Sequence, residues 1–196
     1  SLCLKSTPPM PILACEPDLY PSDLFDSTQP YLETEGCWWA CYCRPNQEKQ
    51  LMRRLVRHEV AHYCPLVPKK NRSPAGRIRT SYIPLFTGYV FIHGDETVRY
   101  TAMTTDCVSR WLDVPDSRSL EVDLRRIYQL ICSGAPLMAE PRLAPGKPVR
   151  VRRGPLTGMS GVVIRRHGQC RLLIAVNFLQ QGASVLIDQY DVEQIY

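Results

Sequence analysis

The stretch LVRHEVAHYCPLVP, residues 55–68, decides how the first half of the chain is read. It contains His58-Glu59-Val60-Ala61-His62, the pattern in which two histidines one helical turn apart hold zinc while the glutamate activates a bound water. That chemistry needs the whole pattern inside one helix. Pro65 and Pro68 rule out helix over the second part of the stretch, because proline lacks the amide donor and pushes the preceding residue toward extended geometry. The spacing therefore predicts a helix that ends near His58 or Glu59, and a strand entered through Val60 to His62. The two imidazoles then need not converge, and His93 and His167 are isolated, so no metal site and no catalytic residue is assigned.

Working outward, the segment CWWACYC at 37–43 reads as a buried aromatic strand that ends at Arg44-Pro45-Asn46. A helix follows from about Gln47 to His58, with Leu51, Met52, Leu55 and Val56 at helical spacing and Arg53, Arg54 and Arg57 on the opposite face. Downstream, KKNRSPAGRIR at 69–79 has five basic residues, no acidic one, and Pro and Gly at its centre, which predicts the tip of an exposed hairpin. The segment SYIPLFTGYVFIHG at 81–94 gives a second aromatic strand in which Gly88 permits a bulge or close approach. A short helix at 96–104, a strand at 108–114 and a helix at 120–134 complete an α+β order of the ferredoxin-like kind. After a Pro-rich linker, residues 146–196 alternate β-branched and polar residues between regularly spaced glycines, the pattern of a small all-β barrel.

The 196 residues suit one large domain or two small ones, and 44% apolar with 22% charged residues indicates a soluble globular protein. The longest apolar run, CWWACYC, is far short of the roughly 18 residues that a membrane span needs. The opening lacks signal-peptide features, and with Ser1 in place of an initiator Met the sequence is expected to begin inside a longer product or a processed chain. Nine cysteines are an odd number without framework spacing, which argues for buried thiols in a reducing cytoplasm. Residues 1–36 carry Lys5 against Glu16, Asp18, Asp23, Asp26, Glu33 and Glu35, a net of −5, so a chain of net +5 leaves +10 on the remaining body. A basic body points to a polyanionic partner, and the six prolines of 1–36 to a mobile or loosely docked extension.

Two segments carry a family resemblance. PGKPVRVRRGPLTGMSGVVIRR, with its Gly-Pro-Leu turn and Gly158 and Gly161, resembles the KOW domain. WWACYCRPNQEKQ followed by PLFTGYVFI resembles the N-terminal domain of the NusG family of transcription elongation factors, including its specialised RfaH and UpxY paralogues. After the acidic, Pro-rich extension at 1–36, the resemblance implies a NusG N-terminal domain at 37–136, a linker at 137–145 and a KOW domain at 146–196. It implies a transcription elongation or antitermination factor that is not an enzyme, needs no cofactor, acts as a cytoplasmic monomer and does not engage membranes. RNA polymerase would be bound at the clamp helices of its β′ subunit through Trp39, Tyr42, Pro84, Phe86, Tyr89 and Phe91. Non-template DNA would meet Arg44, Gln47 and Arg54, and the hairpin would add Lys69, Lys70, Arg72, Arg77 and Arg79. In the position before the fourth strand this chain has Asp106-Cys107 where relatives often have a Gly-containing pair, an acid that repels phosphate. Phe178 matches an aromatic through which the KOW domain recruits a second partner, ribosomal protein NusE or Rho. The alternative reading is a translation-associated RNA-binding protein that uses the KOW barrel.

Overall fold

The computed structural model describes residues 16–26, 36–74 and 76–195. In chain order the first part contains β1 (Leu19–Tyr20), β2 (Cys37–Cys43), α1 (Glu48–Arg57), β3 (His62–Tyr63), β4 (Leu66–Arg72), β5 (Ile78–Pro84), β6 (Tyr89–Gly94), α2 (Glu96–Met103), β7 (Val108–Leu112) and α3 (Ser117–Cys132). The second part is β8 (Leu137–Glu140), β9 (Lys147–Val151), β10 (Ser160–Arg166), β11 (Gln169–Val176), β12 (Gln181–Leu186) and β13 (Val192–Gln194).

The junction at His58–His62 behaves as the prolines require. α1 stops at Arg57, His58 caps it with its N–H directed to Arg54 and Leu55 carbonyls, and Glu59 takes a left-handed conformation at φ 55°. The chain then turns into β3, so His58 is exposed at a helix end while His62 lies fully buried in a strand. His62 Nδ1 lies 2.8 Å from the Val60 carbonyl oxygen and carries the proton of that hydrogen bond.

One antiparallel sheet runs in the order β1-β3-β6-β2-β7. Cross-strand register sorts its side chains into two faces. The aromatic face carries the row Leu19, Tyr63, Phe91, Ala40 and Leu112, flanked on one side by Trp38 with His93 and on the other by Tyr42 with Tyr89 and Arg110. α3 covers it, burying Leu120, Leu124 and Ile127 into the same core. The opposite face carries Cys41, Cys43, Val90 and Ile92 beneath Leu51, Met52 and Leu55 of α1 and Ala102 of α2. Asp95 and Asp116 cap α2 and α3 by accepting from backbone N–H groups of their first turns. β4 and β5 leave this sheet as a separate two-stranded hairpin.

The second sheet is antiparallel in the order β13-β9-β10-β11-β12-β8. Among the described residues no pairing joins β13 to β8, so the ladder is open at both ends where a closed barrel was expected. The segment at 137–145 contains a strand, because β8 pairs with β12 from Leu137↔Val185 to Glu140↔Gly182. Glu140 is buried there, bonded to Ser184 Oγ at 2.7 Å and paired with Arg166 at 3.2 Å. Residues 16–26 are packed onto the first sheet rather than loosely attached, with Leu24 and Phe25 in the core. The rest of 1–36, apart from Gly36, lies outside the described residues.

Candidate functional site

The aromatic candidates divide between faces and depths. Tyr42 and Tyr89 stand opposite one another, ring centroids 5.2 Å apart and edge to face, and both are half-buried. Arg110 lies 5.3 Å over the Tyr42 ring and is itself exposed. Pro84, also half-buried, ends the hairpin strand that leads into Leu85. Phe86 and Phe91 lie deeper, 2% and 0% exposed and edge to face with each other at 6.4 Å. Trp39 is on the other face, where Arg99 sits 5.4 Å over its ring and 5.8 Å over that of Trp111. Tyr42, Tyr89 and Pro84 are thus the candidates with accessible surface on or beside the aromatic face, and Arg110 is a member that sequence spacing alone did not single out.

Gly88 and Glu48 set the position of this cluster. Gly88 adopts φ +87°, and a Cβ there would fall 2.8 Å from the Tyr42 ring, so only glycine lets the turn lie against the tyrosine. Its N–H donates to the buried carboxylate Oε1 of Glu48 at 2.8 Å, which ties the first turn of α1 to the strand carrying Tyr89. The spacing of Glu48 and Gly88 offered no hint of this bond, since forty residues separate them.

The basic candidates form two groups. Beside the start of α1, Arg44, Gln47, Gln50 and Arg54 line an open cavity of about 260 Å³ with Thr105, Asp106 and Cys107. Arg44 pairs with Asp106 at 2.7 Å, and Arg54 donates to the Thr105 carbonyl. These partners compete with any phosphate for the two guanidinium groups, and Gln47 Oε1 accepts from the Cys107 thiol at 3.9 Å. On the hairpin, Lys69, Lys70, Arg72, Arg77 and Arg79 are all exposed, and among the described residues none of the five forms an ion pair. Lys70 and Arg72 alternate to one face of the ribbon, Lys69 and Arg79 to the other, and Arg77 sits in the tip. The seven residue pairs make a ribbon roughly 20 Å long at about 3.4 Å per step, and the charge lies on its outer half, from Lys69 to the tip.

Phe178 occupies a short 3-10 turn, Asn177–Leu179, and is half-buried against the core that α3 shares with the second sheet. Burial, with Glu48 and Cys107 adding to it, pushes Cys43 up to about 12, and burial also raises Cys41 and Cys64 well above the usual thiol range. Among the described residues no three His, Cys, Asp or Glu side chains group to hold a metal, and no helix is long and apolar enough to cross a membrane.

Part of the chain matches a known family, and two solved structures are similar to it. Residues 36–130 match the NusG family, described as transcription termination factor nusG, which spans the first sheet from β2 to near the end of α3. Among solved structures, Thermotoga maritima NusG, studied for its domain interaction, is similar at 16% identity over 83% of this chain and 98% of its own, with a TM-score of 0.43. The MjSpt4:Spt5 complex in its conformation B gives 15% identity over 81% and 96%, with a TM-score of 0.28. No curated protein sequence shows significant similarity to the chain.

Proposed function

We propose that the chain is a transcription elongation or antitermination factor of the NusG type that binds RNA polymerase and suppresses pausing or termination. Residues 37–136 act as the NusG N-terminal domain and residues 146–196 as a KOW domain that recruits a second partner through Phe178. The observation that carries this reading is the half-exposed Tyr42–Tyr89 pair with Arg110 and Pro84, at one end of the interior strands β2 and β6 within the segment that matches the family. Paired aromatics on a rigid sheet give a helix pair a large contact at little entropic cost. Tyr89 packs against the core that holds Phe86 and Phe91, and Trp39, on the far face, takes no part in the same contact. The exposed hairpin supplies salt-sensitive affinity for DNA, with Gln47 and its flanking arginines as the place where an unstacked base could be read.

The test is capture of RNA polymerase by the purified full chain. Tyr42→Ala with Tyr89→Ala should weaken capture by about tenfold or more, in keeping with the loss of two aromatic anchors, while the melting curve stays cooperative. Undiminished capture by a folded double variant removes the aromatic pair as the polymerase contact.

A further inference from the structure

Ile78 is 69% exposed at the outer end of the β4–β5 hairpin, where it pairs with Arg72 and stands between Arg77 and Arg79 in sequence. At the base of the same ribbon Leu66 is buried, and Val67 and Tyr82 pack against the cores on the two faces of the first sheet. β-branching suits Ile78 to a strand, yet threonine would serve the strand as well and expose less apolar surface. The arm that presents it is braced along its length. Leu85 N–H donates to the Pro65 carbonyl at 2.7 Å at the base, and midway Ser81 Oγ donates to the Lys69 carbonyl at 3.3 Å and accepts from Asn71 Nδ2 at 3.2 Å. At the tip Ser73 N–H donates to the Arg77 carbonyl at 2.9 Å, and Arg77 N–H donates to Ser73 Oγ at 3.1 Å.

The surroundings of Ile78 specify what it can meet. From Leu66 to Pro84 the chain has five basic residues and no acidic one. Lys70 and Arg72 project from one face of the ribbon and Lys69 and Arg79 from the other, so the arm can reach both phosphate strands that border a groove. A slender arm ending in one apolar side chain among arginines suits the minor groove of duplex DNA. There arginine meets the acceptors of the groove floor, and an inserted isoleucine or proline unstacks one base step and bends the helix. Pro74, exposed in the tip, adds apolar surface beside Ile78. Duplex RNA fits less well, because its minor groove is wide and shallow and its major groove too deep and narrow to enter. A lipid surface needs a larger apolar face than this tip offers.

Building on the DNA contact proposed for the hairpin, we propose that Ile78 is a wedge that enters the minor groove of double-stranded DNA and kinks it at a flexible base step, while the five cations hold the flanking phosphates. The experiment uses the full chain and end-labelled duplexes of about 30 base pairs, one with a central TA step and one with a central A-tract. The parent chain should bind the TA duplex at least about tenfold more tightly and raise energy transfer between its ends, because TA steps kink easily and A-tracts are stiff. Ile78→Thr keeps a β-branched residue and every charge, so its melting temperature and salt slope should match the parent. Its affinity for the TA duplex should fall about tenfold, as expected for an isoleucine no longer buried, and the rise in energy transfer should vanish. Ile78→Leu should keep the bend. Equal affinity and equal bending by Ile78→Thr overturn the wedge and leave the charge contact standing, as does a parent chain that binds both duplexes alike without bending them. If the parent binds neither duplex, or its salt slope survives replacement of the five cations by Gln, the DNA contact of the hairpin falls and the wedge with it. Tighter, Ile78-dependent binding to duplex RNA or to vesicles of anionic phospholipid assigns the tip to that ligand and overturns the proposal.

Discussion

Asp123 on α3 accepts two hydrogen bonds from Asn177, one from its backbone N–H at 3.0 Å and one from Nδ2 at 3.1 Å. Two positions earlier on the same helix, Glu121 accepts from Trp38 Nε1 at 3.3 Å and pairs with Arg125. α3 is therefore fixed to the first sheet by one acidic residue and to the second by the other. The apolar core is continuous through it, from Trp38 and Ala40 to Leu172 and Val176. Asp123→Ala removes the acceptor and leaves the part-buried Asn177 N–H unpaired, which should cost about 1–3 kcal/mol. Asp123→Asn keeps a carbonyl acceptor and should recover much of that loss. Denaturant unfolding measures the cost, and NMR relaxation tests whether the second sheet gains independent tumbling in the alanine variant.

Gly88→Ala should be more damaging than its one added methyl suggests. The new Cβ meets the Tyr42 ring at 2.8 Å on a backbone held at φ +87°, so both strain and collision oppose it. A loss of about 1–3 kcal/mol in denaturant unfolding is expected, with polymerase capture reduced because Tyr42 and Tyr89 can no longer meet. Capture unchanged by Gly88→Ala would separate the tyrosine pair from binding.

How much of this could be read from the chain differs from element to element, and the range of the interaction explains the difference. Pro65 and Pro68 act on their immediate neighbours, so the end of α1 and the entry to β3 were legible, and with them the dismissal of a shared histidine face. The hairpin was equally open to reading, since basic residues flanking Pro74 and Gly76 are a local signal. Alternation indicated that some of the six candidates must be core, but which face each takes depends on long-range register. Residues 16–26 left no periodic trace: Leu19, Leu24 and Phe25 are scattered among acids and prolines, and their partners lie on β2, β3 and α3. β8 was hidden in the same way, because Leu137–Glu140 is strand only through its pairing with β12 and the burial of Glu140 beside Ser184.

Charge is what the hairpin presents to a partner. Replacing Lys69, Lys70, Arg72, Arg77 and Arg79 by Gln should leave the melting temperature close to that of the parent, because all five side chains are exposed. The slope of log affinity for DNA against log salt should shrink by roughly 0.7–0.9 for each phosphate that is no longer neutralised. A slope that does not change places the DNA interface elsewhere, with Arg44, Gln47 and Arg54 as the next residues to replace.

His62 gives the fold a pH dependence whose direction is determined by burial. Desolvation lowers its pKa below the ordinary 6.5, opposed in part by the hydrogen bond to the Val60 carbonyl. In the interval between the lowered folded value and 6.5, the unfolded chain binds a proton that the folded chain does not. Stability from this group is therefore complete above 6.5 and is lost as pH falls through that interval. His93, lowered chiefly by burial and raised by Glu121, adds in the same direction. Asp18 works the other way: burial raises it above 3.8, so its contribution recovers as pH falls toward and through its folded value. Unfolding measured between about pH 7.5 and 5.5 isolates the histidine window from the ordinary carboxylate range. The parent chain should lose stability across it, and His62→Gln, whatever its cost at neutral pH, should show a shallower decline with only His93 remaining. An unchanged slope in a folded His62→Gln chain would move the origin of the pH dependence to His93 and away from β3, the strand that the His58–His62 pattern enters.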